Sequence, residues 1–532
     1  MTTGALRTPA PPRTLWVPAL LVVGLVLLPV VGLYLAYLSP PGLVTPPPLS
    51  MARVWPLLGR TLALSAVVSA ATLALGTWLA WVEVRAEYRG RALFAALSVL
   101  PLATPSYLLA AIVREEMAPA GLFGRLLGLE GQFTGFWPAA LVLTLSCTPY
   151  VHLLVAAALR RCPLAEEEAA RALGARGARL ARAVWLPRLR PTWAFALVLV
   201  GLYVISDFGA VAVLDCEVLT WELYKVRGGR DAIVLGFGIM LAVVPLLVGI
   251  RLLHGRSASE ATVASPRVFR RTPLRGPAVA LAWLAHGLLV GLAVILPAAT
   301  LVGWLMDGLR YQVEFADVLA PALDTLVFAL VGGVVVLVAG FAPAWLVARS
   351  RARGVRLLEH GVYLVSALPG VLVAVGILHL VLGLKREVPI QWGDTSAWSV
   401  LEAGGIFLVL AYVMRFVSQA YAALSPAIQR LDIRQEESAR TLGAGRWRRF
   451  WSITAPALTP GALAAMTLLF LSIAKELPIT LMLMPLGHRT LSYQVFSAQQ
   501  ESALPDVGAA GLILLVFALM LQVLLSRWRR HV

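Results

Sequence analysis

Two carboxylates stand where carboxylates are costly. Asp207, in Ser206-Asp207-Phe208-Gly209, and Glu476, in Lys475-Glu476-Leu477-Pro478, each fall within a long apolar stretch, where an ionised side chain costs about 2.5 to 3.5 kcal/mol on insertion scales. They are 269 residues apart. Two chemistries are open to such a pair: drawing in a hard cation along a translocation path, or tying helix ends together through arginine or backbone amides. Each lies 16 residues beyond a proline, Pro191 or Pro460. That is about 24 Å of helix at 1.5 Å per residue, which places the pair toward an outer mouth. Gly209 and Pro478 follow closely and interrupt each helix, which suits a gate. Tyr224 and Tyr493, also 269 apart, read as anchors at the outer interface.

A second constellation repeats at the same offset. Ala158 to Pro191 aligns without gaps on Ala427 to Pro460, with 13 of 34 positions identical, Glu167/Glu436, Glu168/Glu437, Gly174/Gly443 and Pro187/Pro456 among them. Each copy reads as a short helix of good formers, Glu168-Ala169-Ala170 or Glu437-Ser438-Ala439. A break follows at Gly174 or Gly443, then a second short helix stopped by Pro187 or Pro456. Small residues let another surface come close, while the flanking charges keep the loop in water. That is docking chemistry.

Catalysis finds little support. A phosphate-binding loop needs Gly-Lys before Ser or Thr, and the three lysines, Lys225, Lys385 and Lys475, follow Tyr, Leu and Ala. Cys147, Cys162 and Cys216 form no C-x-x-C pair, so neither a metal cluster nor a disulfide framework follows. His286 and His379 stand singly on apolar helices, and no cluster of His, Asp or Cys at one membrane depth suggests an embedded enzyme. The metal-binding residues, if any, are unknown from sequence.

The elements that carry these residues must be membrane helices. Of 532 residues 59% are hydrophobic and 14% charged. Only helices satisfy their own backbone in lipid, each needing about 20 apolar residues. Twelve stretches qualify: near 15–38, 57–81, 92–113, 136–159, 192–214 and 234–253, then 279–305, 322–348, 357–384, 400–424, 462–486 and 507–525. The predicted fold is therefore all-α, with six spans in residues 1–253, a polar Arg-rich linker at 254–277, and six spans in 278–532. The net charge of +17 raises nucleic acid as a partner, but the placement of the cations excludes it. Most of the lysines and arginines, such as Arg349, Arg351, Arg353, Arg356, Arg527, Arg529 and Arg530, fall on one side, which puts both termini and both loops in the cytoplasm. A further match at an offset of 264, Thr61, Gly76, Arg85 and Gly90 on Thr325, Gly340, Arg349 and Gly354, makes the halves parallel repeats about an axis normal to the membrane.

The loops resemble the EAA loop of ABC importer permeases, E-A-A-x(3)-G-x(9)-I-x-L-P. The first copy matches as Glu168-Ala169-Ala170, Gly174, Val184 and Leu186-Pro187. The second matches as Glu437-Ser438-Ala439, Gly443, Ile453 and Ala455-Pro456. The resemblance implies that residues 160–191 and 429–460 each insert into a cleft on a separate nucleotide-binding subunit, two copies of which use ATP; no cofactor is expected in this chain itself. It also implies a periplasmic or extracellular substrate-binding protein on the other face. Segments Pro101 to Tyr107, Thr148 to Val151, Asp207-Phe208-Gly209 and Lys475 to Leu481 look like the fused iron(III) permeases. Permeases for thiamine, phosphonates or polyamines share the layout, and a gradient-driven secondary transporter is the rival class.

Overall fold

The computed structural model describes residues 13–528, apart from 26, 39–50, 227–228, 255–270, 313–317, 351–352, 389–390 and 393–394. Most of the expected linker, the proline-rich run after the first helix, Arg351, Arg529 and Arg530 thus lie outside the described residues. Nine helices among those described are long and apolar enough to cross a membrane: Trp16–Leu35, Ala52–Arg85, Phe136–Arg161 and Ala181–Ser206, then Pro277–Arg310, Leu319–Arg349, Ile406–Gln429, Arg446–Ala474 and Leu504–Val523. Large apolar residues such as Leu284, Val331 and Val338 face outward, as lipid-facing positions should.

Two of the expected stretches are not straight. Arg91–Ala103 and Ser106–Glu116 meet at 95°, and Leu357–Val365 and Gly370–Glu387 at 87°. Counting each bent pair as one span gives eleven. The twelfth expected stretch lies within Gly229–His254, whose apolar part, Asp231–Leu246, is shorter. The bends fall at Thr104-Pro105 and Pro369-Gly370. Proline lacks the amide a helix needs and drives the residue before it into extended backbone; Thr104 has ψ 119° and the prolines have ψ 145° and 143°.

Pro187 and Pro456 do not stop their helices, contrary to expectation. A π turn at Ala181–Trp185 precedes Pro187 and another at Phe450–Thr454 precedes Pro456, and the helix runs on to Ser206 or Ala474. A third, Gly291–Ile295, precedes Pro297. The wider turn makes room for the proline ring against the carbonyl four residues back, so the helix bulges where it was expected to end.

Glycine sets the repeated crossing in each half. A Cβ on Gly76 would stand 2.7 Å from Val151 Cβ, and one on Gly340 would stand 2.6 Å from Ala420 Cβ. These are matched positions, so the same close contact brings Ala52–Arg85 against Phe136–Arg161 and Leu319–Arg349 against Ile406–Gln429. The first helix of each half then crosses to the other. Gly32 and Pro29 lie against Gly376, and Val23 against Gly361; from the second half, Trp283 packs on Gly90, and the Ala293 carbonyl accepts from Thr104 Oγ1 at 3.0 Å. A minimal parallel ladder pairs Ala86 with Thr272 and Glu87 with Pro273, and a second, antiparallel, pairs Gln391 with Ser396.

Replacing Gly76 or Gly340 by leucine is expected to cost at least about 1 to 3 kcal/mol through overpacking. Loss of the monodisperse peak on size exclusion reads it. Gly287→Leu, whose Cβ meets nothing within 4 Å, should leave the peak intact.

Candidate coupling loops and central gate

Each loop begins where a helix ends. Phe136–Arg161 gives way to the short helix Leu164–Ala172, and Ile406–Gln429 to Ile433–Thr441. They stop at Gly174, φ +82°, and Gly443, φ +79°. The turn closes in the same way twice: Gly174 N donates to Arg171 O and Ala175 N to Ala170 O, as Gly443 N does to Arg440 O and Ala444 N to Ala439 O, all at 2.9 to 3.0 Å. Only glycine takes that left-handed position freely. Glu168, Ala169, Glu437 and Ser438 are exposed, Ala170 and Ala439 half-buried, and Pro187 and Pro456 exposed on the helices that follow. Leu173 and Leu442 are 89% and 87% exposed. Among the described residues nothing covers them. Their signal was present in the repeat, as one of its identities.

The copies are braced differently. Glu167 is buried against Arg85 Nη2 at 2.6 Å, and Trp185 Nε1 donates to it at 3.0 Å. Arg85 also donates to Leu159 O at 2.8 Å and lies over the Trp185 ring. Beside it the buried Glu83 meets His152 Nε2 at 2.6 Å and pairs with Arg160. In the second copy Glu436 is half-buried and accepts from Thr454 Oγ1 at 3.3 Å, while Arg349 donates to Leu431 O at 3.2 Å. The first loop is thus held by a desolvated ion pair and the second by hydrogen bonds in which Glu436 and Arg349 each meet a neutral partner.

Asp207 and Glu476 lie within electrostatic reach of each other, each at a break between two helices. Asp207 follows Ser206 and accepts from Ala210 N at 2.9 Å; Glu476 takes the matching bond from Ile479 N. Each also faces the start of a half-helix made by a bend. Ser106 Oγ donates to Asp207 Oδ2 at 2.6 Å. At the matching Gly370 a Cβ would stand 2.7 Å from Glu476 Oε1. The longer carboxylate meets the residue with no side chain, and the shorter one meets serine. Two cations that sequence reasoning did not single out for the gate complete the centre. Arg415, whose field reaches both carboxylates, donates to Leu368 O at 3.0 Å, and Lys475 Nζ donates to Leu102 O at 2.7 Å. Each caps a carbonyl beside a bend.

Other expected residues separate. Tyr224 and Tyr493 are not equivalent: Thr61 Oγ1 accepts from Leu219 N and Thr325 Oγ1 from Leu491 N, an offset of 272 that aligns Tyr224 with Phe496. Tyr224 stacks on Trp221, with centroids 5.7 Å apart. His286 and His379 bond carbonyls of their own helices. The cysteines are free and buried, and burial pushes the Cys216 thiol up to about 12. Among the described residues no group of three His, Cys, Asp or Glu could hold a metal.

The sequence profile of the binding-protein-dependent transport system inner membrane component family matches twice, at residues 72–259 and 337–532. The chain belongs to that family. This permease is therefore a multi-pass inner-membrane transport component built from two copies of one domain. It is 23% identical to an Fe(3+)-transport system permease protein of Haemophilus influenzae over 88% of both chains. It is 34% identical to the molybdenum transport system permease protein of Escherichia coli over 35% of this chain and 81% of that one. A putative 2-aminoethylphosphonate transport system permease protein of Salmonella typhimurium is 33% identical over 31% of this chain and 57% of its own.

Glu167→Ala removes the carboxylate paired with the buried Arg85, a loss of about 3 to 5 kcal/mol for a broken buried pair. Faster amide exchange across residues 164–174 is the expected readout. Glu436→Ala should change exchange across 433–443 much less.

Proposed function

We propose that this permease is the whole membrane channel of an ATP-driven importer, moving ferric iron handed over by an extracytoplasmic binding protein. The observation that carries the metal is the length of the iron-permease alignment, 88% of each chain, which includes the fused two-domain plan. The relatives for molybdenum and aminoethylphosphonate align over about a third of the chain.

Two copies of a separate ATPase dock at the loops, one on Glu168 to Pro187 and one on Glu437 to Pro456, with both termini on the same, cytoplasmic side. Supporting this are the matched exposure of Glu168 and Glu437 and the bare Leu173 and Leu442. Closure of the ATPase dimer pulls the loops together. The helices that run unbroken from the loops to Ser206 and Ala474 carry that displacement to the residues just before Asp207 and Glu476. A rigid helix transmits what a loop would absorb, which is why the π turns matter: they keep the lever whole past Pro187 and Pro456. Alternating access then follows from tilting two levers against the bent pairs.

Leu173→Asp with Leu442→Asp, or Glu168→Ala with Glu437→Ala, is expected to cut ATPase co-purification at least about tenfold, the loss of roughly 1.4 kcal/mol of docking energy, while the permease stays monodisperse. Unchanged co-purification and uptake refute the docking role. Ferric iron with its binding protein should stimulate ATPase activity in the reconstituted complex. Stimulation by thiamine alone refutes the substrate.

A further inference from the structure

A layer of rings lies just beyond the carboxylates, on the side away from the coupling loops. Phe208 follows Asp207 at the break where the first lever helix ends, and precedes the half-helix Gly209–Val213. Its ring packs on Tyr224, with centroids 4.8 Å apart, and on Trp221 at 6.1 Å, both from the helix Leu219–Val226. It also reaches the second half, 6.0 Å from Phe496 of Leu491–Gln500. At the offset of 272 set by the Thr61 and Thr325 bonds, Trp221 and Tyr224 match Tyr493 and Phe496. Each of these two helices thus offers aromatic residues three apart, on one face, and the rings meet at the seam between the halves.

Polar groups bound this layer on both sides. Farther from the loops, Asp215 Oδ1 accepts from Trp221 Nε1 at 2.9 Å, and Lys225 Nζ, paired with Glu222, lies 5.4 Å from the Trp221 ring centre. Nearer the loops stands the Asp207 carboxylate, bonded to Ser106 and the Ala210 amide. Phe208 and Phe496 are 2% and 6% exposed, and Trp221 and Tyr224 are half-buried. Rings buried in a helix bundle are usually plain core. These differ in lying between two charged layers, at the seam of two repeats that must part for anything to pass. An apolar constriction in such a place stops water and ions by dewetting. The residue matching Phe208 in the second half is Leu477, buried as deeply, so a single ring at this position, from the first half, crosses the seam.

We propose that Phe208, Phe496, Trp221 and Tyr224 form the seal that shuts the passage on the side away from the ATPase. Phe208 lies two residues past Ser206, where the lever helix Ala181–Ser206 ends, so a tilt of that lever draws its ring off Tyr224 and Phe496 while the helices carrying them stay whole. The rings act as a barrier and not as a ligand set, because centroids 4.8 to 6.1 Å apart leave no room for a solute between them. The inference rests on the permease reading and the lever, not on the cargo.

The test reconstitutes the purified full-length permease in liposomes with potassium chloride inside and sodium chloride outside, and follows potassium exchange. No ATPase, binding protein or metal takes part, so failure of the docking or cargo reading leaves the result intact. Phe208→Ala and Phe496→Ala are each expected to speed exchange at least about tenfold, the change in open population that about 1.4 kcal/mol of lost closure brings. Phe208→Leu, which copies Leu477, should leak less than Phe208→Ala. Trp137→Ala, which removes a ring that is 70% exposed and outside the cluster, should exchange at the wild-type rate. Size exclusion checks that each variant stays monodisperse. If Phe208→Ala does not, Phe208→Leu and Phe496→Ala carry the comparison. Wild-type exchange in the monodisperse Phe208 and Phe496 variants, or equal leak from Trp137→Ala, overturns the seal.

Discussion

A helix broken inside a membrane exposes amides and carbonyls to a medium that cannot solvate them, and the centre of this permease contains four such breaks. They follow Ala103, Val365, Ser206 and Ala474. Asp207 and Glu476 serve two breaks each. One oxygen takes the amide three residues ahead, where its own helix restarts, and the other lies at the start of a half-helix from a bend. The positive end of a helix carries roughly half a charge, so a carboxylate there is stabilised where an isolated one would be expelled. Lys475 and Arg415 do the converse, capping carbonyls at the bends. The breaks thus account for the placing of these charges, with Glu476 Oε1 left buried and without a hydrogen-bond partner among the described residues.

That arrangement ties motion at the loops to motion at the gate. The lever helices end at Ser206 and Ala474, immediately before the carboxylates, so tilting either one moves a group that holds a bent pair in place. The swapped first helices limit how far the halves separate, since Trp16–Leu35 packs on the second half and Pro277–Arg310 on the first. Small residues at those contacts let the backbones touch, and Pro277–Arg310 is also tied to the first half by the bonds from Thr104 to Ala293 O and from Thr300 to Glu116. Unequal bracing of the loops adds a direction: the first, pinned by Arg85 and Glu167, moves as one body with its helices, whereas the second has more freedom at its base.

Much of this was legible in the residues. Hydropathy located the spans because lipid imposes a length, and the repeat located the loops because both copies of the domain keep the same helix, glycine turn and proline. The bends were not legible from hydropathy, since a helix folded back on itself is as apolar as a straight one. Nor does proline alone mark them: Pro149, Pro343 and Pro426 sit inside continuous helices, and Pro187 and Pro456 are absorbed by π turns. What distinguishes Pro105 and Pro369 is the carboxylate waiting at each new helix start, a contact between residues about a hundred positions apart. A fixed offset also failed at Tyr224 and Tyr493, because the second copy carries three more residues between the gate and the outer helix. Pairing by hydrogen bond, Thr61 to Leu219 and Thr325 to Leu491, restores the register.

Fusion of the halves has a chemical consequence that a pair of identical subunits could not reach. In a homodimer every gate residue appears twice, and a lysine at the position of Lys475 would face its own image across the axis, two like charges in a low-dielectric space. Here the second half carries both cations, Lys475 and Arg415, while the first carries Ser206 and Ser146 in their places. One lysine can then cap the other half's bend without repulsion, and the serine opposite leaves room beside it. The carboxylates kept their symmetry because both halves must restart a helix; the cations lost theirs because one side suffices. The two halves thus differ at the cations of the centre as well as at the bracing of the loops.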